Sequence, residues 1–146
     1  MEFMGEIFDS DRKNYHAWSY RIWLIERFQL WESEIDFVNE MLKLDKSNNS
    51  VWSYRNFILC KSPTGLFKQH APGTLEFVMS ELKFVIEEWL PKDLSNESCW
   101  VYLRGLLCNS EAEEAASQQK PVKRVYIGKV RDTLLPVLTE LETLAR

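Results

Sequence analysis

The 146-residue chain is poor in the residues that usually build a self-contained active site. It holds two histidines, His16 and His70, and three cysteines, Cys60, Cys99 and Cys108, with no C-x-x-C pair. No metal-ligand cluster, glycine-rich phosphate loop or pair of carboxylates stands out, so a complete catalytic centre within this chain is not expected. An odd number of cysteines, each set in an apolar helical pattern, predicts reduced core thiols. Lysine and arginine number 18 against 22 acidic residues, and the resulting charge of −4 is spread without a basic block. Nothing there would track a nucleic-acid backbone, which sets nucleic acid aside as a partner. No apolar run approaches the roughly 20 residues of a membrane span. At the N-terminus Phe3, Met4, Ile7 and Phe8 precede the return of charge, a stretch too short and too acidic for a signal peptide. A cytoplasmic protein is expected.

What the chain has in quantity is apolar and aromatic residues, 45% and 13%, enough to bury a core at this length. They recur. Lys13-Asn14-Tyr15-His16-Ala17-Trp18-Ser19-Tyr20-Arg21 falls, after a shift of 34 positions, on Ser47-Asn48-Asn49-Ser50-Val51-Trp52-Ser53-Tyr54-Arg55 without a gap. A third copy, Asn96-Glu97-Ser98-Cys99-Trp100-Val101-Tyr102, follows 48 positions after the second and keeps Asn, Trp and Tyr at the same mutual spacing. Upstream, Phe3 matches Phe37, Ile7 matches Met41 and Asp11 matches Asp45. Repetition at such a period marks an array of helical units.

The apolar spacing predicts the units. Trp18, Ile22, Ile25 and Phe28 form a helical stripe behind an Asn14 cap, and Trp31, Ile35, Val38, Met41, Leu42 and Leu44 form a second, beginning near Leu30. A third helix carries Trp52, Phe57, Ile58 and Leu59, capped by Asn48 or Ser50. The stretch 61–74, with Pro63 and Gly65, reads as an insertion at a hairpin tip, and its 14 residues account for the longer second period. A helix from about 75 to 90 buries Phe77, Val78, Leu82, Val85, Ile86 and Trp89 and stops at Pro91. A fifth covers about 98–108, residues 109–120 read as a mobile loop, and 122–145 reads as a helix kinked or divided at Pro136.

A single hairpin cannot bury both its faces, so such units stack. The expectation is one all-α domain, a right-handed superhelix (α-solenoid) of antiparallel helical hairpins. Its parts would be 2–11 as the end of a preceding hairpin cut short, repeats at 14–45 and 48–91, and an atypical terminal repeat at 96–146. The chain would then be a fragment of a longer protein. A face including Phe3, Ile7 and Trp18 would lie bare and promote self-association of the isolated chain. Tetratricopeptide repeats share the period, but their Leu and Gly after the Trp are Arg21-Ile22 and Arg55-Asn56 here.

Within the repeat, Trp18, Trp52 and Trp100 read as core packing between hairpins. Arg21 and Arg55 share the Trp face, placed to bridge to carbonyls or carboxylates of the next hairpin with their planes against aromatic rings. Asn14, Asn48 and Asn96 read as helix caps. Tyr15 and His16 have no counterpart in the other copies, where Asn49-Ser50 and Glu97-Ser98 stand. They are either solvated residues at a helix start or two donors beside free amides that favour an anion such as a phosphate.

These residues, Lys13-Asn14-Tyr15-His16-Ala17-Trp18 with Arg21, Asn48 to Trp52 with Arg55, and Asn96-Glu97-Ser98 with Trp100, Tyr102 and Leu103, resemble the alpha subunit of protein farnesyltransferase and type I geranylgeranyltransferase. The likeness runs from Glu2 to about Leu107. It implies a crescent of hairpins around a beta subunit, in a heterodimer that moves a farnesyl or geranylgeranyl group from its diphosphate to a C-terminal cysteine of substrate proteins. It implies that Asn14, Tyr15 and His16 lie at the subunit interface near the diphosphate. No cofactor is expected on this chain; the zinc, and any magnesium, would belong to the beta subunit or the holoenzyme. The lysine that does most for the diphosphate and the reader of the substrate's carboxylate would sit in an earlier hairpin, so the isolated chain is expected to be inactive. The alternative is a helical-repeat interaction module with no enzymatic role.

Overall fold

The computed structural model describes residues 8, 11–63, 72, 74–116, 132 and 139, without the side chains of 75 and 107–116. The described residues contain helices and turns and no strand. In order they form α1 (Tyr15–Phe28), α2 (Glu34–Leu44), α3 (Asn49–Lys61), α4 (Leu75–Glu88), a 3-10 turn (Leu90–Lys92) and α5 (Glu97–Ala116). The chain divides into two compact units, Met1–Gln69 and His70–Arg146, and the division falls inside the predicted insertion.

Three of the helices begin in the same way. In each, an aspartate side chain, Asp11, Asp45 or Asp93, accepts the amide two residues on, at 3.0, 3.1 and 3.0 Å. Its carbonyl accepts the amide of the asparagine three residues on. That asparagine then caps the helix: Asn14 Oδ1 accepts from Ala17 N, Asn48 Oδ1 from Ser50 N and Asn96 Oδ1 from Ser98 N, each at 3.0 Å. The tryptophan four residues further reaches back, its Nε1 donating to the carbonyl six residues before it: Arg12, Lys46 and Leu94, at 2.8, 2.8 and 2.9 Å. A turn that would otherwise leave amides and a carbonyl unpaired is thus closed by side chains at fixed spacing. The recurring tryptophan is a hydrogen-bond donor to this turn as well as a core residue.

In the first unit α1 ends at Gln29, which takes the left-handed conformation at φ 55°. Its side chain stays useful there: Nε2 donates to the Glu26 carbonyl at 2.7 Å and Oε1 accepts from Trp31 Nε1 at 3.1 Å. Trp31 therefore belongs to the turn, and α2 starts at Glu34 rather than near Leu30 as predicted. The chain doubles back, placing Phe37 of α2 against Trp18 of α1 at 6.1 Å between ring centroids. α3 packs on α2 and brings Tyr54 to 5.1 Å from Trp18. Phe8, helical and buried, closes the other side of Trp18 at 4.5 Å.

Trp18 is therefore buried, against the expectation that it would lie on a bare face; Phe3 and Ile7 lie outside the described residues. Besides Tyr15 at its start, α1 exposes Tyr20, Trp23 and Phe28, with Tyr20 stacked on Trp23 at 5.7 Å and Phe28 edge-on to it at 6.0 Å. Phe28 and Leu44, assigned to core stripes from spacing, are exposed because each ends its helix, where the turn carries it off the packed face.

In the second unit Thr74 Oγ1 caps α4 by accepting from Phe77 N at 3.3 Å. All six apolar residues predicted to face inward, from Phe77 to Trp89, are buried. Helix α5 runs on to Ala116, so residues 109–116 are helical where a loop was expected. The stretch lacks large apolar residues, which removes burial, but Ala and Glu favour the helix without it. Residues 117–120 and the predicted kink at Pro136 lie outside the described residues; Asp132 and Thr139 on either side of it are both helical.

Candidate functional site

The N-terminus of α1 carries the residues that distinguish this copy of the repeat. Tyr15 occupies the first helical position and is 76% exposed; His16 follows it, also exposed. Their rings meet edge to face at 5.7 Å. Neither side chain has a hydrogen-bond partner among the described residues. The first turn of α1 contains no acidic residue, and Arg12 and Lys13 stand just before it. Free amides, the positive end of the helix dipole and two exposed donors make a surface suited to an anion. Asn14 lies at the edge of this surface, but its side-chain oxygen is committed to Ala17 N.

Beneath the surface the helix is anchored by charge. Arg21, buried like Trp18, donates from Nε to Glu34 Oε2 at 2.9 Å and from Nη2 to Glu34 Oε1 at 2.8 Å. This fork is the strong, directional form of an arginine–carboxylate pair. The guanidinium lies over the Phe37 ring, 3.5 Å from its centroid. Tyr54 completes the cluster from α3, its hydroxyl donating to Glu34 Oε2 at 2.5 Å. Burial, then the hydrogen bond and charge of Glu34, push the Tyr54 hydroxyl well above the ordinary tyrosine range, so it stays a donor. Glu34 is fully buried with three hydrogen bonds, the condition under which an interior carboxylate is tolerated.

The arrangement departs from the expected one in its partner. Arg21 reaches the carboxylate of the helix just across its own turn, not of the next hairpin, and the next helix contributes Tyr54 instead. Arg55 donates from Nη1 to Asn39 Oδ1 of α2, the helix before its own, at 3.1 Å. The aromatic stacking of Arg21 is as expected. Trp52 is buried and Trp100 half-buried. In the second unit Tyr102 repeats the Tyr54 contact, donating to buried Glu81 Oε2 at 2.7 Å.

Sequence reasoning missed Glu34, Glu81 and the third aspartate, Asp93. A signal existed for two of them. Glu34 interrupts the apolar stripe between Trp31 and Val38, and Asp93 stands three residues before Asn96 as Asp11 and Asp45 stand before theirs.

The repeat described as "Protein prenyltransferase alpha subunit repeat" matches residues 1–28, 31–62 and 78–110. The second and third spans coincide with α2 plus α3 and with α4 plus the first part of α5, the helix pairs that pack within each unit. No curated protein matches in sequence. Among solved structures, Candida albicans protein geranylgeranyltransferase-I complexed with GGPP is similar at 34% identity and a TM-score of 0.56. The alignment covers 72% of this chain and 33% of that one, so the chain spans about a third of that protein's length. Three matched repeats that extend over most of the described helices, each containing the same Asp–Asn–Trp turn, place the chain in the protein prenyltransferase alpha subunit repeat family.

Proposed function

We propose that this chain is part of the alpha subunit of a heterodimeric protein prenyltransferase, the enzyme that transfers a farnesyl or geranylgeranyl group from its diphosphate to a C-terminal cysteine. Its role is that of a scaffold for a beta subunit and a contributor to the diphosphate site. The observation that carries this reading is the likeness, at 34% identity, to a geranylgeranyltransferase-I solved with GGPP. The exposed Tyr15–His16 pair at a helix start supplies the chemistry. As the bond between isoprenoid and diphosphate breaks, negative charge grows on the departing oxygens. The Tyr15 hydroxyl and the His16 ring donate to that charge from fixed positions, with Asn14 holding the turn that presents them.

Among the described residues no group of three His, Cys, Asp or Glu side chains converges to hold a metal ion, so no step is assigned to a metal on them. Zinc belongs to the beta subunit in this reading, where it would activate the accepting thiolate. The isolated chain is a transferase subunit without independent activity. No helix among the described residues is long and apolar enough to cross a membrane, and the reading is of a cytoplasmic enzyme.

Co-expression with the beta subunit of a type I geranylgeranyltransferase or farnesyltransferase tests the assignment. The expected result is a complex that survives gel filtration at one-to-one stoichiometry. Failure to associate with either beta subunit would leave the chain a helical-repeat interaction module.

A further inference from the structure

The Arg12 carbonyl, two residues before the Asn14 cap, is held by two side chains from different helices. Trp18 Nε1 of α1 donates to it at 2.8 Å, and Asn48 Nδ2, at the start of α3, donates to it at 3.0 Å. Asn48 is fully buried and divides its amide between two tasks. Its oxygen caps α3 through Ser50 N, and its nitrogen reaches back 36 residues to the turn that begins α1. Among the described residues that turn is otherwise closed only from within, by Asp11 to Lys13 and Asn14 and by Asn14 to Ala17. Tyr15 and His16 leave directly from it into solvent.

We propose that Asn48 is a positioning residue for the diphosphate-binding pair: its Nδ2 bond to the Arg12 carbonyl ties the turn to α3 and so fixes where Tyr15 and His16 point. The inference rests on the reading of Tyr15 and His16 given above. Preorganised donors act on developing charge without reorganising, and a turn held only from within its own helix start does not supply that rigidity.

The amide's two tasks can be separated chemically. Asn48→Ser keeps a capping oxygen without placing a charge in a fully buried site, and serine caps a helix as well as asparagine does. It removes the donor to Arg12. Amide exchange on the chain itself should rise at Lys13, Asn14 and Ala17 by about fivefold to tenfold, the loss of one net hydrogen bond. The amides of α3 should keep their protection. In the complex with the beta subunit, farnesyl diphosphate and geranylgeranyl diphosphate should bind about threefold to tenfold more weakly to Asn48→Ser. The change should add nothing in a Tyr15→Phe/His16→Ala background, because positioning has no effect once the positioned groups are gone. Unchanged exchange at Lys13, Asn14 and Ala17 would overturn the inference. So would unchanged diphosphate affinity in Asn48→Ser when Tyr15→Phe/His16→Ala lowers it, and that outcome would leave the reading of the pair intact. If Tyr15→Phe/His16→Ala itself binds both diphosphates like the parent, the reading falls and the inference with it.

Discussion

Replacing Tyr54 by phenylalanine isolates one bond of the buried cluster. The phenyl ring keeps the contacts to Trp18 at 5.1 Å and to Phe57 at 5.9 Å, and Glu34 keeps both bonds from Arg21. What disappears is one hydrogen bond to a charged acceptor, which is worth about 1.5–3 kcal/mol net. Arg21→Met is a different perturbation of the same cluster. It leaves the fully buried Glu34 carboxylate with Tyr54 as its remaining bonded partner, and stranding an interior charge costs about 3–5 kcal/mol. Against the roughly 5–15 kcal/mol that holds a typical domain together, the second loss leaves little margin. Urea melts followed by tryptophan fluorescence give both values, since Trp18 lies beside the cluster. The reasoning is refuted if Tyr54→Phe costs less than about 0.5 kcal/mol, the scatter of neutral substitutions, or if Arg21→Met is the milder of the two.

The same hydroxyl makes stability depend on alkaline pH. Burial and Glu34 keep the Tyr54 proton in the folded state, while the unfolded chain loses it above about pH 10. The contribution is therefore complete below that pH and falls above it by about 1.4 kcal/mol per pH unit. Melts from pH 9 to 11 should show Tyr54→Phe flatter by one such slope. At the end of α1, Gln29→Gly should be more stable than Gln29→Ala by about 1 kcal/mol, because both lose the side-chain bonds and only alanine retains the strain at φ 55°. Thermal melts of the two variants check it. The exposed Tyr20, Trp23 and Phe28 cluster should make the isolated chain associate as its concentration rises, and light scattering should show Trp23→Ser relieving it.

Much of the fold was legible because a repeat is a comparison the sequence makes with itself. Asn14, Asn48 and Asn96 recur only where a helix must start, and each is a cap. The stripe from Phe77 to Trp89 could be assigned inward residue by residue because a helix covered along its length has one packed face. Helix ends escaped the same logic: Phe28 and Leu44 continue the spacing, yet nothing in spacing says where packing stops. The stretch 109–116 failed for a related reason, since a pattern that looks for apolar residues cannot see a helix made of alanine and glutamate.

The partners of the buried arginines were less legible. Spacing placed Arg21 on the Trp18 face but not the direction of its reach, and Glu34 was hidden by being a charge within an apolar stripe. At the candidate site the exposure of Tyr15 and His16 fits either a solvated helix start or a binding surface, so likeness to the family had to carry the choice. The bond from Asn48 to Arg12 could not be read at all, because it joins residues 36 apart through an amide whose cap alone would explain its presence.

The most direct measurement is a titration of geranylgeranyl diphosphate and farnesyl diphosphate against the complex of this chain with a beta subunit, comparing the parent with Tyr15→Phe/His16→Ala. Loss of hydrogen bonds to a charged ligand predicts binding weaker by about 10-fold to 100-fold, with the complex still assembled. Equal affinity in parent and variant would contradict the claim that these two residues hold the diphosphate.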